Sequence, residues 1–388
     1  MLGAAGAIVV RMTNLQLRPF PAWHANPRLP VDRPFTTREA RDFGLDPNAL
    51  SKLVQHGLLR RVVRGVYVDA ALPDSIAHRA RALALAVPEA AVITDETAAW
   101  LYGIDLYPAG DRFGPMPRLQ FFRLADHTRV RRAGVLSGRR MLEDVDLVSV
   151  GGIVATTPLR TACDLGRTLR RARALAAMDA LLRLGEFTEA ELAAQVERFR
   201  GRRGVVQLRD LVPFADGRSE SVRESELRSL WIDAGLPKPQ LQIPVSVARG
   251  REPFRLDLGD SEVKYAAEYD GQEWHSTPEQ VSRDSWRREL IQEQGWTIDV
   301  FRDADLQNWN ATIRLQEGFR RAVERSKGRL AGGRSEAERA ARAFGRPHYA
   351  EDFLAPDHSA AGDLMDLTQP YDAGRDVDHR SDSLVAWW

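Results

Sequence analysis

Between Phe35 and Val68 the apolar positions fall first at helical spacing and then, after Gly57, in a β-prone run. Thr36-Thr37-Arg38-Glu39 has the form of a capping box, with Thr36 as N-cap and Glu39 three positions on, so a short helix opens there and ends near Gly44. Asp46-Pro47 then caps and starts a second helix, because proline fits the first helical position, where its missing N–H is not needed. Leu50, Leu53 and Val54 form its inner stripe, and Gly57 stops it. A β-prone run from Leu58 to Val68 follows, with a turn at Arg64-Gly65. Helix, tight turn, helix and basic hairpin are the pattern of a winged helix-turn-helix.

From Ser75 to about Asp216 helical spacing recurs over Ala77 to Val87, Arg171 to Leu182 and Thr188 to Phe199. Leu119 to Phe122 and Leu147 to Val154 read as strands, so this stretch is a mixed α/β segment with no metal-ligand or nucleophile motif. A third unit opens at Ser221, on a helix whose apolar side is Leu227, Leu230, Trp231 and Ala234, closed by Gly235. Two alternating runs follow, Phe254 to Leu258 and Val263 to Ala267, each reading as a short strand. Thr277-Pro278-Glu279-Gln280 starts another helix, which runs to about Gln294, and Trp296 to Phe301 is a further strand. The domains expected are a disordered leader over 1–34, a winged helix over 35–72, a mixed α/β middle domain over 73–216 and an α/β unit over 217–327. The remainder, 328–388, reads as a mostly disordered tail after one helix from Ser335 to Phe344.

Length allows two or three domains, and 44% apolar content is ordinary for a soluble chain of 388 residues. A formal net charge of +1 hides local imbalance and says little about partners. The single cysteine, Cys163, sits in a helical pattern as a small hydrophobe and cannot form an internal disulfide, which suits a reducing cytoplasm. Met1 to Val10 is apolar but too short to span a bilayer, and no basic region precedes it, so no membrane partner is expected.

Chemistry concentrates at two places. On the outward face of the second helix, Asn48, Ser51, Lys52 and Gln55 are polar side chains able to read base edges. Arg60, Arg61 and Arg64 on the wing are placed for phosphates or the minor groove. A purely structural role for the module is the alternative. Farther on, Asp257 precedes Glu268-Tyr269-Asp270-Gly271 and His275. Residues two apart on a strand share a face, so Glu268 and Asp270 point the same way, and pairing through Gly259 to Glu262 brings Asp257 to that face. Crowded carboxylates repel, and Mg²⁺ or Mn²⁺ with oxygen ligands offsets the repulsion. Glu224 is either a further ligand or a complement to its helix dipole. His275 is either a general base or a hydrogen-bonding loop residue. Arg283 and Arg287, four apart on one helix face, either meet phosphate or pair with Asp284 and Glu289. Solvent-facing hairpins that simply display acids are the alternative to a metal site.

Phe35 to Asp69 resembles the N-terminal winged-helix domain of AbiEi-type antitoxins, the transcription-autoregulating half of type IV toxin-antitoxin systems. The likeness rests on the Pro-started helix, Gly57-Leu58 and Arg64-Gly65-Val66-Tyr67. Residues 219 to 306 resemble the Vsr-like branch of the PD-(D/E)XK nuclease superfamily, through Glu224-Ser225, Arg255-Leu256-Asp257, Glu268-Tyr269-Asp270-Gly271, His275, Arg283-Asp284 and Gly295-Trp296. That resemblance implies a restriction-endonuclease-like α/β fold with a mixed sheet, with Asp257 as central metal ligand and Glu268 as second acid. Where the broad superfamily has lysine this chain has Asp270, which removes the cation expected to orient the nucleophile. Lys264 would have to compensate from elsewhere on the strand, and His275 is the better candidate.

The leading expectation is therefore a multi-domain α/β, cytoplasmic, duplex-DNA-binding protein with a Mg²⁺-dependent endonuclease domain, in a defence or toxin-antitoxin setting. In it Asp257, Glu268, Asp270 and His275 would be catalytic, and Asp257, Glu268 and Glu224 would hold the metal. The alternative is a transcriptional regulator or antitoxin-like repressor whose nuclease fold is inert. A cognate toxin or a second copy of the chain are the further partners implied.

Overall fold

The computed structural model describes residues 30–107, 119–123, 135–247, 253–271, 278–306 and 310–343. Of the leader expected over 1–34, residues 1–29 lie outside the described residues, as do His275, Thr277 and the segment from 344 onward. The chain divides into two compact units, Met1–Gly333 and Arg334–Trp388.

The first unit begins with β1 (Phe35–Thr36), α1 (Thr37–Asp42), α2 (Pro47–Gln55), β2 (Leu59–Val63) and β3 (Val66–Asp69). Both expected caps are present. The Thr36 side chain accepts from the Glu39 N–H while Glu39 reaches back to the Thr36 N–H, and Asp46 accepts from the Ala49 N–H at 2.7 Å with Pro47 in the first turn. Each such cap is worth about 1 kcal/mol. The three strands order β1-β3-β2, and Phe35, Ala40, Leu45, Leu50, Leu53 and Leu59 close a small core beneath them. The inner wing residues Val63 and Val66 belong to the next core along the chain, so the wing is seated on the middle region.

That region holds α3 (Ile76–Ala84), β4 (Ala91–Ile93), α4 (Asp95–Leu101), β5 (Leu119–Arg123), β6 (Val135–Arg139), β7 (Leu147–Val150) and β8 (Ile153–Thr156). The sheet orders β6-β5-β4-β8-β7, with β4 parallel to β8 and β5 parallel to β6. The single strand expected over Leu147 to Val154 is instead the hairpin β7–β8, turned at Gly151-Gly152. A helical layer follows: α5 (Pro158–Thr168), α6 (Arg171–Leu182), α7 (Glu189–Gln195) and α8 (Val205–Leu211), packed around Cys163, Leu175 and Met178.

Next come α9 (Val222–Asp233), β9 (Gln240–Val245), β10 (Phe254–Asp260), β11 (Tyr265–Tyr269), α10 (Pro278–Glu293), β12 (Thr297–Phe301), α11 (Asp303–Leu306) and α12 (Asn310–Ala343). The sheet orders β12-β11-β10-β9. Its first three strands in sequence are antiparallel, while β12 returns parallel to β11 after α10, so the mixed sheet expected from the sequence is present. Trp231 of α9 stacks on Tyr265 of β11 at 5.4 Å between ring centroids, inside a core completed by Leu315 and Ala322 of α12. Ile291 and Trp296 pack on Ile243, Val245, Leu256 and Ala266 in a separate cluster.

Where the tail was expected to begin, at residue 328, the chain is still helical. Ala311, Leu315 and Ala322 are buried at helical spacing, and the Ala, Arg and Glu content beyond them favours helix, so α12 continues to Ala343. Gly318 permits its close approach to the sheet: a Cβ there would lie 2.5 Å from the Tyr265 hydroxyl. The third region is also locked to the middle one. Arg228 of α9 pairs with Asp179 of α6 at a site where both side chains are almost fully buried, and its Nη1 donates to the Phe214 carbonyl at 2.6 Å.

Candidate nucleic-acid interface and acidic site

On α2 the buried Leu50 and Leu53 fix the helix against its core. The opposite face is then set by geometry, and Asn48, Ser51, Lys52 and Gln55, spaced three, four and seven residues along, are all exposed on it. Ser51 Oγ donates back to the Pro47 carbonyl at 3.0 Å, which leaves Asn48, Lys52 and Gln55 as the freer side chains. Arg61 and Arg64 on the wing are exposed.

Arg60 is placed differently from the sequence expectation. Alternation along β2 turns its side chain back, where it is half-buried and its Nη2 donates to the Leu72 carbonyl at 2.5 Å, tying down the segment after the wing. Of the three wing arginines expected to face DNA, Arg61 and Arg64 are the exposed pair. Sequence reasoning passed over Arg38 and Arg41, both exposed on α1, the helix that crosses the backbone when such a module docks. Their three-residue spacing on either side of the buried Ala40 was the available signal.

Pairing of β10 with β11 runs Leu258↔Ala267, Gly259↔Ala266 and Asp260↔Tyr265, so Asp257 and Glu268 stand next in register. Asp257 Oδ2 accepts the Tyr269 N–H at 2.8 Å. Glu224, from the first turn of α9, completes a group of three acids that feel one another's charge. Gln242 of β9 donates to Glu224 at 3.0 Å from a left-handed backbone, φ 51°, a conformation that costs a non-glycine residue on the order of 1 kcal/mol. Burial pushes the Asp257 carboxyl up to about 7. The Tyr269 N–H opposes that shift, Glu224 and Glu268 add to it, and Arg287 opposes it.

Arg287 dominates the arrangement. Its Nη1 and Nη2 donate to the two oxygens of Glu268 at 3.0 and 2.7 Å, and Nη2 also reaches the Arg255 carbonyl at 2.7 Å. Glu268, only 7% exposed, is the partner of Arg287, whereas the sequence offered Asp284 and Glu289. Arg283 is exposed, and no carboxylate among the described residues pairs with it. Asp270 meets different guanidiniums. It lies just past the end of β11, where Arg302 approaches it at 3.3 Å and Arg288 at 4.0 Å. Lys264 is committed elsewhere, donating to the Gln294 carbonyl at 2.8 Å.

Mg²⁺ or Mn²⁺ needs several carboxylate oxygens free to turn toward one point. Both oxygens of Glu268 are held by Arg287, one of Glu224 by Gln242, and among the described residues no group of three acidic, histidine or cysteine side chains is arranged to hold a metal ion. As they stand, these side chains do not fit the ion. Nor is any described helix long and apolar enough to cross a membrane.

Comparison with known proteins bears on two stretches of the chain. Residues 32–68 match the family model of the AbiEi antitoxin transcriptional regulator, and residues 89–214 match that of the AbiEi antitoxin C-terminal domain. The second match covers most of the middle region, to which the sequence alone assigned no function. Two uncharacterized proteins from two strains of Mycobacterium tuberculosis are each 41% identical over 253 residues, which is 63% of this chain and 86% of the relative. The chain carries AbiEi antitoxin-family domains at both matched stretches and belongs to one family with these mycobacterial proteins.

Proposed function

We propose that this protein is a DNA-binding transcriptional regulator of the antitoxin type, acting on duplex DNA through α2 and the wing. The observation that carries this reading is the pairing of the regulator-type family match over 32–68 with an α2 face on which Asn48, Ser51, Lys52 and Gln55 are all exposed, flanked by exposed Arg61 and Arg64. Polar side chains on a recognition helix read base edges, and guanidiniums on the wing hold the phosphates. The match over 89–214 supports an antitoxin role for the middle region, and a cognate toxin is the partner this reading implies.

The region after Ser219 serves this reading as a nuclease-type fold without turnover. Arg287 sits on the acid that a metal would need, and Asp270 stands where a lysine was expected. A Mg²⁺- or Mn²⁺-dependent endonuclease is the competing reading, supported by the gathering of Asp257, Glu224 and Glu268.

One experiment separates the two. The full chain is incubated with a labelled duplex from upstream of its own gene and with a scrambled duplex, in Mg²⁺, Mn²⁺ or chelator, and binding and cutting are scored separately. The expected result is preference for the native duplex, survival of binding in chelator, and no cutting. R61A/R64A should weaken binding and flatten its logarithmic salt dependence by about 2. Failure to bind either duplex overturns the regulator reading. Cutting that requires the divalent ion and disappears in Asp257→Ala establishes the enzyme instead.

A further inference from the structure

Several arginines of the middle region are answered from within. Arg140 joins Asp95 and Asp164 at 2.9 and 3.0 Å, Arg160 joins Asp146 and Asp164 at 2.7 and 2.9 Å, Arg167 holds Asp164 at 2.8 Å, and Arg198 holds Asp146 at 2.9 Å. One stretch gathers three arginines without such an answer. Between the one-turn helix Val196–Phe199 and α8, the chain reads Arg200-Gly201-Arg202-Arg203-Gly204. All three arginines are exposed, and none has a carboxylate partner among the described residues. The flanking Asp210 is already paired with Arg171.

The backbone beneath these charges is fixed. The Arg202 N–H donates to the Phe199 carbonyl at 2.9 Å, and Arg167 Nη1 donates to the Arg203 carbonyl at 3.1 Å. Gln207 ties the following helix to the Gly166 and Leu169 carbonyls at 2.8 and 2.9 Å. Gly204 has φ 79°, and a Cβ there would lie 1.9 Å from the Arg167 carbonyl oxygen, so the loop presses against α5 more closely than any side chain at that position allows. A stiff loop that holds three like charges together raises their mutual repulsion. Aspartates cancel the charges of Arg140, Arg160, Arg167 and Arg198, whereas these three face water.

We infer that the Arg200–Gly204 loop grips the phosphate backbone of duplex DNA as a second contact, separate from the wing. The inference rests on the DNA-binding reading above and adds a surface to it. Guanidinium forks match phosphate oxygens two at a time, and a pre-ordered loop loses little freedom on docking. Contacts of this kind carry no sequence information, so the loop strengthens binding to every duplex alike.

The test measures anisotropy of two labelled duplexes of equal length, one from upstream of the chain's own gene and one scrambled, across a salt series. Wild type is compared with R200A/R202A/R203A and with R200K/R202K/R203K. The alanine triple should weaken binding to both duplexes by the same factor and reduce the slope of log affinity against log salt by about 2 to 3, while the lysine triple keeps the slope. Each single alanine variant should remove about one unit, a readout that stands even if the triple fails to fold. If wild type binds and the alanine variants match it in affinity and slope, the loop is not a DNA contact, and an acidic protein partner becomes its occupant. Should wild type bind neither duplex, this inference falls together with the reading beneath it.

Discussion

Replacing Asp257 with asparagine should make the protein more stable at neutral and alkaline pH. The folded-state carboxyl titrates near 7 against an ordinary value of 3.8, with burial as the main cause. Because the folded pKa is raised, the fold binds a proton that the unfolded chain has already released, and stability falls as pH rises between those two values. Above pH 7 the whole penalty is present. At about 1.4 kcal/mol per unit, a shift of roughly three units corresponds to about 4 kcal/mol, and the remaining access of water lowers the expected effect to roughly 2–4 kcal/mol. Asparagine keeps an oxygen for the Tyr269 N–H, so the main backbone contact survives the change. Urea unfolding of wild type and Asp257→Asn in chelator, from pH 4 to pH 9, reads the difference directly. The two curves should nearly coincide near pH 4, diverge through pH 5 to 7, and run parallel above that, with the variant higher. A difference that does not vary with pH, or a variant less stable at pH 8, would refute the claim that a buried, uncompensated carboxylate sits at this point.

Two more perturbations probe the interior. Arg228→Met leaves the Asp179 carboxylate buried without its cation and should cost about 3–5 kcal/mol in urea unfolding, and adding Asp179→Leu in the same chain should recover most of the loss; a loss under about 1 kcal/mol would contradict the pairing. Cys163, fully buried with its thiol pushed up to about 12 chiefly by burial, should resist iodoacetamide at pH 8 while the chain is folded and react once urea unfolds it. Rapid alkylation of the folded chain would contradict that burial.

Elements written in local signals were legible from the sequence. The Thr36 capping box, the Asp46-Pro47 start and the strand pair carrying Asp257 and Glu268 each depend on residues close together in the chain, and each is present, with the turn of the pair moved two residues on, to 261–264. Long-range choices were not. Nothing near Arg287 announces that it will take Glu268 in preference to Asp284 or Glu289, because that choice depends on how α10 packs over the sheet. The turn inside Leu147 to Val154 hid in a run whose apolar residues suit one strand as well as two, and only Gly151-Gly152 marked it. Arg60 was misplaced for a related reason. It sits beside Arg61 on one strand, and adjacent strand residues face opposite sides, so the two could not both serve the same surface. The start of α12 and its continuity past residue 328 escaped notice, although a helix ending near Phe344 was expected, since alanine, arginine and glycine together resemble a solvated tail until Leu315 and Ala322 are seen to anchor the helix.

Charge pairing also bears on which surfaces await a partner. Arg287 on Glu268 and Arg302 on Asp270 pair within the later region, Arg228 on Asp179 pairs across to the middle one, and Arg140, Arg160, Arg167 and Arg198 pair within the middle one. Coulombic attraction in a low dielectric makes such pairs hard to separate, so a ligand competing for their carboxylates must first displace a guanidinium already in contact. Lys52, Arg61 and Arg64 meet no such competitor among the described residues, and all three are exposed. A polyanion approaching the winged helix displaces only water and small ions, and release of those ions drives association. On the proposed reading, nucleic acid at the N-terminal module therefore meets less electrostatic competition than a cation would at the acids of β10 and β11. For an ion to be taken up there, Arg287 would have to leave Glu268, and its link to the Arg255 carbonyl would break with it.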